Sequence, residues 1–168
     1  HLLLTDDLAK SYDPVYKVNP PLRTQADVMA LREGLADGTI DIVATDHAPH
    51  PAESKECEWQ YAAFGMLGLE TALPILWETM IESKMMDIQT LQTRMSSAPA
   101  QIGRYHSQGK ALVKGAPANL TLFAPSKSWK VDRDLVASKS KNTPFHGMEF
   151  GGSVVATFFE GRESWRLK

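Results

Sequence analysis

Asp41-Ile42-Val43-Ala44-Thr45-Asp46-His47-Ala48-Pro49-His50 runs a short apolar stretch into one carboxylate and two imidazoles, with a proline between the imidazoles. Such a run reads as a buried strand delivering polar groups at its C-terminal end, the catalytic mouth of a barrel-type α/β layout. Asp and His both ligate metals and carry protons, so their clustering there points to chemistry. The plainer alternative makes Asp46 a turn cap and the histidines surface residues. The strand context weighs for the functional reading.

Upstream, Pro20-Pro21 forbids a helix and biases Asn19 to an extended backbone. Thr24 then opens a helix, with Asp27 three residues on as a capping box that has Asp in place of Glu. Val28, Leu31 and Leu35 give its apolar face and Gly38 its stop. A strand over Ile40–Thr45 follows almost at once, and helix, short link, strand is the rhythm of an α/β fold. Downstream, Pro51–Ala63 reads as a polar loop ending in Phe64-Gly65-Met66-Leu67-Gly68. A helix is predicted over roughly Leu69–Glu82, with Leu69, Leu73, Leu76 and Met80 on one side and Pro74 in its early turns. Asp87 caps another helix carrying Ile88, Leu91 and Met95, and a short helical segment begins near Pro99. After residue 107 the pattern changes. Gly109, Gly115 and Pro117 break the chain into short pieces, and Asn119–Phe123 and Val154–Gly161 read as strands. The expected organisation is an α/β body over residues 1–107 and a β-rich segment over 108–168.

The chain has 168 residues and a formal net charge of −2, enough for one ordinary domain with a core and without the basic face that nucleic acid requires. A small molecule or a protein is the expected partner. No apolar run approaches the ~20 residues of a membrane span. The one cysteine, Cys57, excludes an internal disulfide and fits a reducing compartment. Its neighbours Glu56 and Glu58 oppose thiolate formation. His1-Leu2-Leu3-Leu4 has neither an initiator Met nor a charged signal region, and reads as a chain entered in mid-fold.

Asp46 is the leading candidate, as a carboxylate suited both to zinc and to shuttling a proton. Pro49 stiffens the turn so that His50 can be held back over the site, whereas His47, next to Asp46, would point elsewhere. The Asn19 amide can read an amide or imide ligand, or satisfy a turn. Arg23 fits a solvated helix-start charge better than a carboxylate clamp. Phe64-Gly65 offers either a close backbone approach for a ligand or a plain turn. The five histidines form no His-x-His or His-x-x-x-His pair. Zinc needs about three or four protein ligands, so spacing alone does not assemble a metal site here.

Val18-Asn19-Pro20-Pro21-Leu22-Arg23, Asp37–Asp41 running into Ala44–His50, Phe64–Ala72 and Asn142-Thr143-Pro144-Phe145, taken in order, resemble the C-terminal part of the bacterial dihydroorotase family of the amidohydrolase superfamily. The resemblance implies the C-terminal part of a (β/α)8 barrel followed by strands of a small β-sandwich. It implies one or two zinc ions and the reversible cyclisation of N-carbamoyl-L-aspartate to dihydroorotate, in cytoplasmic pyrimidine biosynthesis. By position, Asp46 resembles the metal-ligating general acid/base. Asn19, His50, Phe64 and Gly65 resemble substrate-binding positions. His47 belongs to the signature without a role that transfers. The opening His1–Leu4 resembles the second half of a Pro-His-His-Leu segment that is not a metal ligand.

The remaining ligands of such a site would lie upstream. The chain alone is therefore expected to be inactive and to bind zinc weakly, and its isolated folding is doubtful. A homodimer or an association with aspartate transcarbamoylase is the implied assembly. Two alternatives stand: a hydantoinase, dihydropyrimidinase or allantoinase, against which His50 and Asn-Pro-Pro-Leu-Arg argue; or a non-catalytic dihydroorotase-like subunit supporting aspartate transcarbamoylase.

Overall fold

The computed structural model describes residues 1–167. Its first long element, α1 (Gln25–Asp37), starts where the capping box places it. The Thr24 hydroxyl accepts from the Asp27 N–H at 3.3 Å, and the Asp27 carboxylate accepts from the Thr24 N–H at 3.1 Å. Two otherwise orphaned amides are thereby satisfied. The helix ends at Gly38, whose φ of +96° is the left-handed value that glycine adopts without a Cβ penalty. Val28 and Leu35 are buried, as the apolar spacing requires.

The segment predicted as the strand Ile40–Thr45 starts in a bend at Ile40 and joins no sheet among the described residues. A strand exists through a neighbour's ladder. Here the segment has the Val43 N–H donating to the Arg94 carbonyl at 3.0 Å. The Arg94 guanidinium also donates to the carbonyls of Leu35 and Asp41, tying helix end and segment to one side chain.

Within the Pro51–Ala63 loop, one short helix, α2 (Ala52–Lys55), forms. The helix predicted from Leu69 begins instead at α3 (Ala72–Leu76) and continues as a wider π turn over Trp77–Glu82. Leu69 is exposed, because the amides of Gly68 and Leu69 are drawn out of the helix to the His47 ring. Asp87 caps α4 (Ile88–Gln92) through the Thr90 N–H at 2.7 Å. The segment near Pro99 is α5 (Ala98–Ile102), reached from α4 through a π turn over Thr93–Ser97. Proline lacks an N–H and crowds the carbonyl four residues back, and a widened turn absorbs both.

The β-rich part contains β1 (Leu120–Ala124), β2 (Trp129–Lys130), β3 (Glu149–Phe150), β4 (Ser153–Phe159) and β5 (Arg162–Arg166). One antiparallel sheet has the order β1-β4-β5, and β2 pairs with β3. The strand expected to run to Gly161 stops at Phe159. Glu160 and Gly161, with φ of +50° and +79°, make the two-residue hairpin turn into β5. β5 was not predicted: all five of its residues are exposed and largely polar, so it has no apolar alternation to read.

Two cores hold the described residues together. Leu35, Leu76, Met80, Met86 and Leu91 gather the helices. Leu4, Val18 and Leu22 pack with Val131, Phe145 and Phe150, so residues 129–150 cross back over the body. That return path brings Asn142 to the site.

Candidate functional site

The site is a turn clamped to a corner. The turn is Asp46–His50, and the corner is Phe64-Gly65. Asp46 follows the Ile40–Thr45 segment with φ of +45°, a conformation tolerated by Asp better than by most non-glycine residues. Its side chain is exposed, and no hydrogen bond engages its carboxylate among the described residues. His47 turns the other way. Its Nδ1 accepts from the Gly68 N–H at 3.1 Å and the Leu69 N–H at 3.4 Å, which puts the ring proton on Nε2.

His50 turns back onto the corner, where its Nε2 meets the Phe64 carbonyl at 2.8 Å. A carbonyl only accepts, so Nε2 carries the proton and donates. Gly65 lies under this contact with φ of +133°, and a Cβ there would fall 2.5 Å from the Ala48 Cβ and 3.0 Å from His50 Nε2. The glycine is required by close approach and by backbone conformation together.

Asn142, which is buried, joins turn to corner. Its Nδ2 donates to the Ala48 carbonyl at 2.9 Å and the Gly65 carbonyl at 3.4 Å, and its Oδ1 accepts from the His50 N–H at 3.2 Å. Its backbone carbonyl accepts from the Leu67 N–H at 3.1 Å.

Beneath the corner lie two buried lysines, Lys17 and Lys55. Lys55 Nζ donates to the carbonyls of Lys17, Ala63 and Gly65 at 3.2, 3.0 and 3.0 Å. Lys17 Nζ donates to the Trp59 carbonyl at 2.7 Å and lies 4.6 Å from the centre of the Phe64 ring. Burial lowers the Lys55 pKa, and the neighbouring Lys17 charge adds to that lowering.

His50, Phe64 and Gly65 are thus in mutual contact, and Asp46 shares their turn. The Gly65 backbone is spent internally, its N–H on the Lys17 carbonyl at 3.0 Å and its C=O on Lys55 and Asn142. Both groups thus anchor the corner that packs against Ala48. Asn19 is exposed, two residues beyond Lys17, and its amide forms no hydrogen bond among the described residues. Arg23 lies at the surface, 3.6 Å from Asp27, as the solvated reading expects.

His50, Lys55 and Asn142 face an open cleft of about 700 Å³. No group of three or more His, Cys, Asp or Glu side chains gathers to hold a metal among the described residues. No helix among them is long and apolar enough to cross a membrane.

Asn142, Lys17 and Lys55 were missed as site residues. Asn142 lies in the Asn142–Phe145 segment that carries part of the resemblance. Lys55 left no signal, since a lysine among Glu53, Glu56 and Glu58 reads as solvated.

No protein-family model matches the chain. Among solved structures, it superposes on an L-hydantoinase (dihydropyrimidinase) from Arthrobacter aurescens with a TM-score of 0.89 at 33% identity, over 98% of this chain and 37% of that one. The dihydropyrimidinase from Brevibacillus agri gives a TM-score of 0.88 at 22% identity, over 98% and 37%, a likeness of fold alone. These neighbours are hydantoinases of the amidohydrolase superfamily, a class of cyclic amide hydrolases, and the α/β fold of this chain is similar to a portion of theirs.

Within that class, the sequence is similar to bacterial dihydroorotases. Identity is 57% over 162 residues with the dihydroorotase of Streptomyces coelicolor, covering 96% of this chain and 38% of that protein. It is 50% over 161 residues with that of Leifsonia xyli (96% and 37%) and 46% over 166 residues with that of Mycobacterium tuberculosis (99% and 39%). The chain is thus similar to a part of the dihydroorotases. It spans less than two fifths of the length of these relatives.

Proposed function

We propose that these residues form the C-terminal part of a dihydroorotase barrel, which reversibly cyclises N-carbamoyl-L-aspartate to dihydroorotate. The observation that carries this reading is the exposed Asp46 carboxylate, which makes no hydrogen bond among the described residues, on a turn whose two histidine rings are each tied down through one nitrogen. Asp46 fits one zinc ligand, since a carboxylate oxygen is a donor zinc accepts and nothing else competes for it. Further ligands would come from residues other than these 168. Bound zinc would supply Lewis acidity toward the ring carbonyl and activation of water.

The work of the chain's own residues is proton transfer and positioning. In ring opening, Asp46 takes the proton of the attacking water and returns it to the departing ring nitrogen. In ring closure it removes the proton from the carbamoyl nitrogen. His50, held by the Phe64 carbonyl, presents Nδ1 toward substrate, and the Asn19 amide offers donors and an acceptor to the same ligand. Phe64 and Gly65 form the edge against which the ring rests. The free Cys57 accords with a reducing, cytoplasmic setting.

The test is made on the full-length, zinc-loaded protein that carries this segment. Dihydroorotate is expected to be turned over in preference to hydantoin. Asp46→Asn should lower kcat by about 10²–10⁴-fold with the fold intact. Turnover of hydantoin with none of dihydroorotate would sink the assignment in favour of a hydantoinase. An active Asp46→Asn enzyme would remove Asp46 from the chemistry.

A further inference from the structure

We propose that Lys55 is a positioning residue of this site: its buried ammonium gathers three main-chain carbonyls and so fixes the Phe64-Gly65 corner that orients the His50 ring. The inference deepens the dihydroorotase reading and rests on it for the identity of the substrate.

Three observations converge. The first is economy of donors: Lys55 Nζ has three, and the carbonyls of Lys17, Ala63 and Gly65 take them at 3.2, 3.0 and 3.0 Å. No carboxylate lies within salt-bridge distance of Lys55 among the described residues, so the carbonyls alone replace its hydration. Burying an ammonium on carbonyls is costly, and truncating it would leave the Ala63 carbonyl unpaired and take one of two donors from the Lys17 and Gly65 carbonyls, loosening the tie between the Lys17 segment and the corner.

The second is where those segments lead. The Lys17 carbonyl also receives the Gly65 N–H at 3.0 Å, so Lys55 and Gly65 meet on one oxygen. Gly65 follows Phe64, whose carbonyl holds His50 Nε2 at 2.8 Å. Lys55 therefore acts on His50 through a single residue step of rigid main chain. The third is steric. With the Ala48 Cβ and His50 packed onto Gly65, the corner has no slack in which to find a second arrangement.

Lys55 itself touches no candidate reacting atom. It sets which His50 nitrogen carries the proton and where the other one points. Released from the Phe64 carbonyl, the ring would populate both neutral tautomers and lose its single Nδ1 acceptor.

The experiment uses the full-length, zinc-loaded protein with Lys55→Met, Lys55→Gln and Lys139→Met. Lys139 is an exposed lysine on the same cleft with no part in the corner. Lys55→Met is expected to raise KM for dihydroorotate at least tenfold, with kcat within threefold and zinc content unchanged. Lys55→Gln, which keeps a donor, should fall between it and the parent, and Lys139→Met should match the parent. Independently of activity, the ¹⁵N signals of His50 should report one Nε2–H tautomer in the parent and a mixture in Lys55→Met.

Equal effects from Lys55→Met and Lys139→Met would overturn positioning in favour of a diffuse charge effect. An unchanged His50 tautomer would overturn it outright, as would failure of both Lys55 variants to fold. A parent that binds no dihydroorotate, with the tautomer mixture still appearing in Lys55→Met, would defeat the substrate reading and leave the positioning role standing.

Discussion

The amide of Asn142 bridges the Asp46–His50 turn and the Phe64-Gly65 corner, and its removal has a calculable cost. Asn142→Leu keeps the volume and deletes the donors and acceptor. The Ala48 carbonyl loses a 2.9 Å bond, the His50 N–H loses one of 3.2 Å, and Gly65 keeps Lys55 as its other donor. Two half-buried groups are then stranded, at about 1–3 kcal/mol each when fully buried, and partial access of water brings the expected sum to about 2–4 kcal/mol. Because the loss falls on one joint, native-state hydrogen exchange is the suitable assay.

The reporting amides are Ala48, bonded to the Met66 carbonyl, and Gly65, bonded to the Lys17 carbonyl, since neither donates to Asn142. At about 1.4 kcal/mol per decade, both should exchange about 30- to 700-fold faster in the variant. The Val28 amide, in the first turn of α1, serves as the internal control and should not change. Asn142→Asp separates bonding from shape, because it sets a carboxylate oxygen against the Ala48 carbonyl where an N–H₂ stood. It should open the joint at least as far as Asn142→Leu at neutral pH. Exchange at Ala48 and Gly65 within threefold of the parent in both variants would refute the reasoning.

Gly65→Ala should destabilise the protein by about 1–3 kcal/mol through overpacking and push His50 off the Phe64 carbonyl. Ala48→Gly in the same chain should recover part of the melting temperature, since it removes the 2.5 Å clash and leaves the 3.0 Å one on His50 and the φ of +133°. The Asp27 carboxyl is held below its ordinary pKa by the Thr24 hydroxyl and N–H, and that of Asp87 by the Thr90 N–H. The folded-state values lie below the unfolded ones, so both contributions are complete above about pH 4 and disappear as pH falls through the folded values. Thermal melts between pH 6 and 2 should therefore show a shallower acid limb in the double variant Asp27→Asn, Asp87→Asn than in the parent.

What the sequence made legible follows from the range of the forces involved. α1 could be bounded to the residue because its start and stop are local: Thr24 and Asp27 satisfy each other's amides, and Gly38 accepts a positive φ. The Asp87 cap is local in the same way. The start of α3 was placed three residues early because the Gly68 and Leu69 amides go to His47, a partner 21 and 22 positions away that periodicity does not record. The missing ladder at Ile40–Thr45 is the same lesson from the other side. Its apolar run is visible in one segment, but a strand is a property of two.

The candidate site divides along that line too. Asp46, His50 and Gly65 could be named because their side-chain chemistry, or its absence, is conspicuous in a short window. Asn142 and Lys55 could not, because each gets its meaning from main-chain carbonyls that only the fold assembles. A lysine in a Glu-rich loop and an asparagine before Thr-Pro look like surface residues until the acceptors around them are counted. The residues that display chemistry in this chain lie on the turn, and those that hold the turn in place lie 5 to 94 positions away along the chain, from Lys55 beside His50 to Asn142 against Ala48. A substitution at Lys55 or Asn142 should therefore act on His50 as strongly as one at Phe64, although neither side chain is expected to touch substrate.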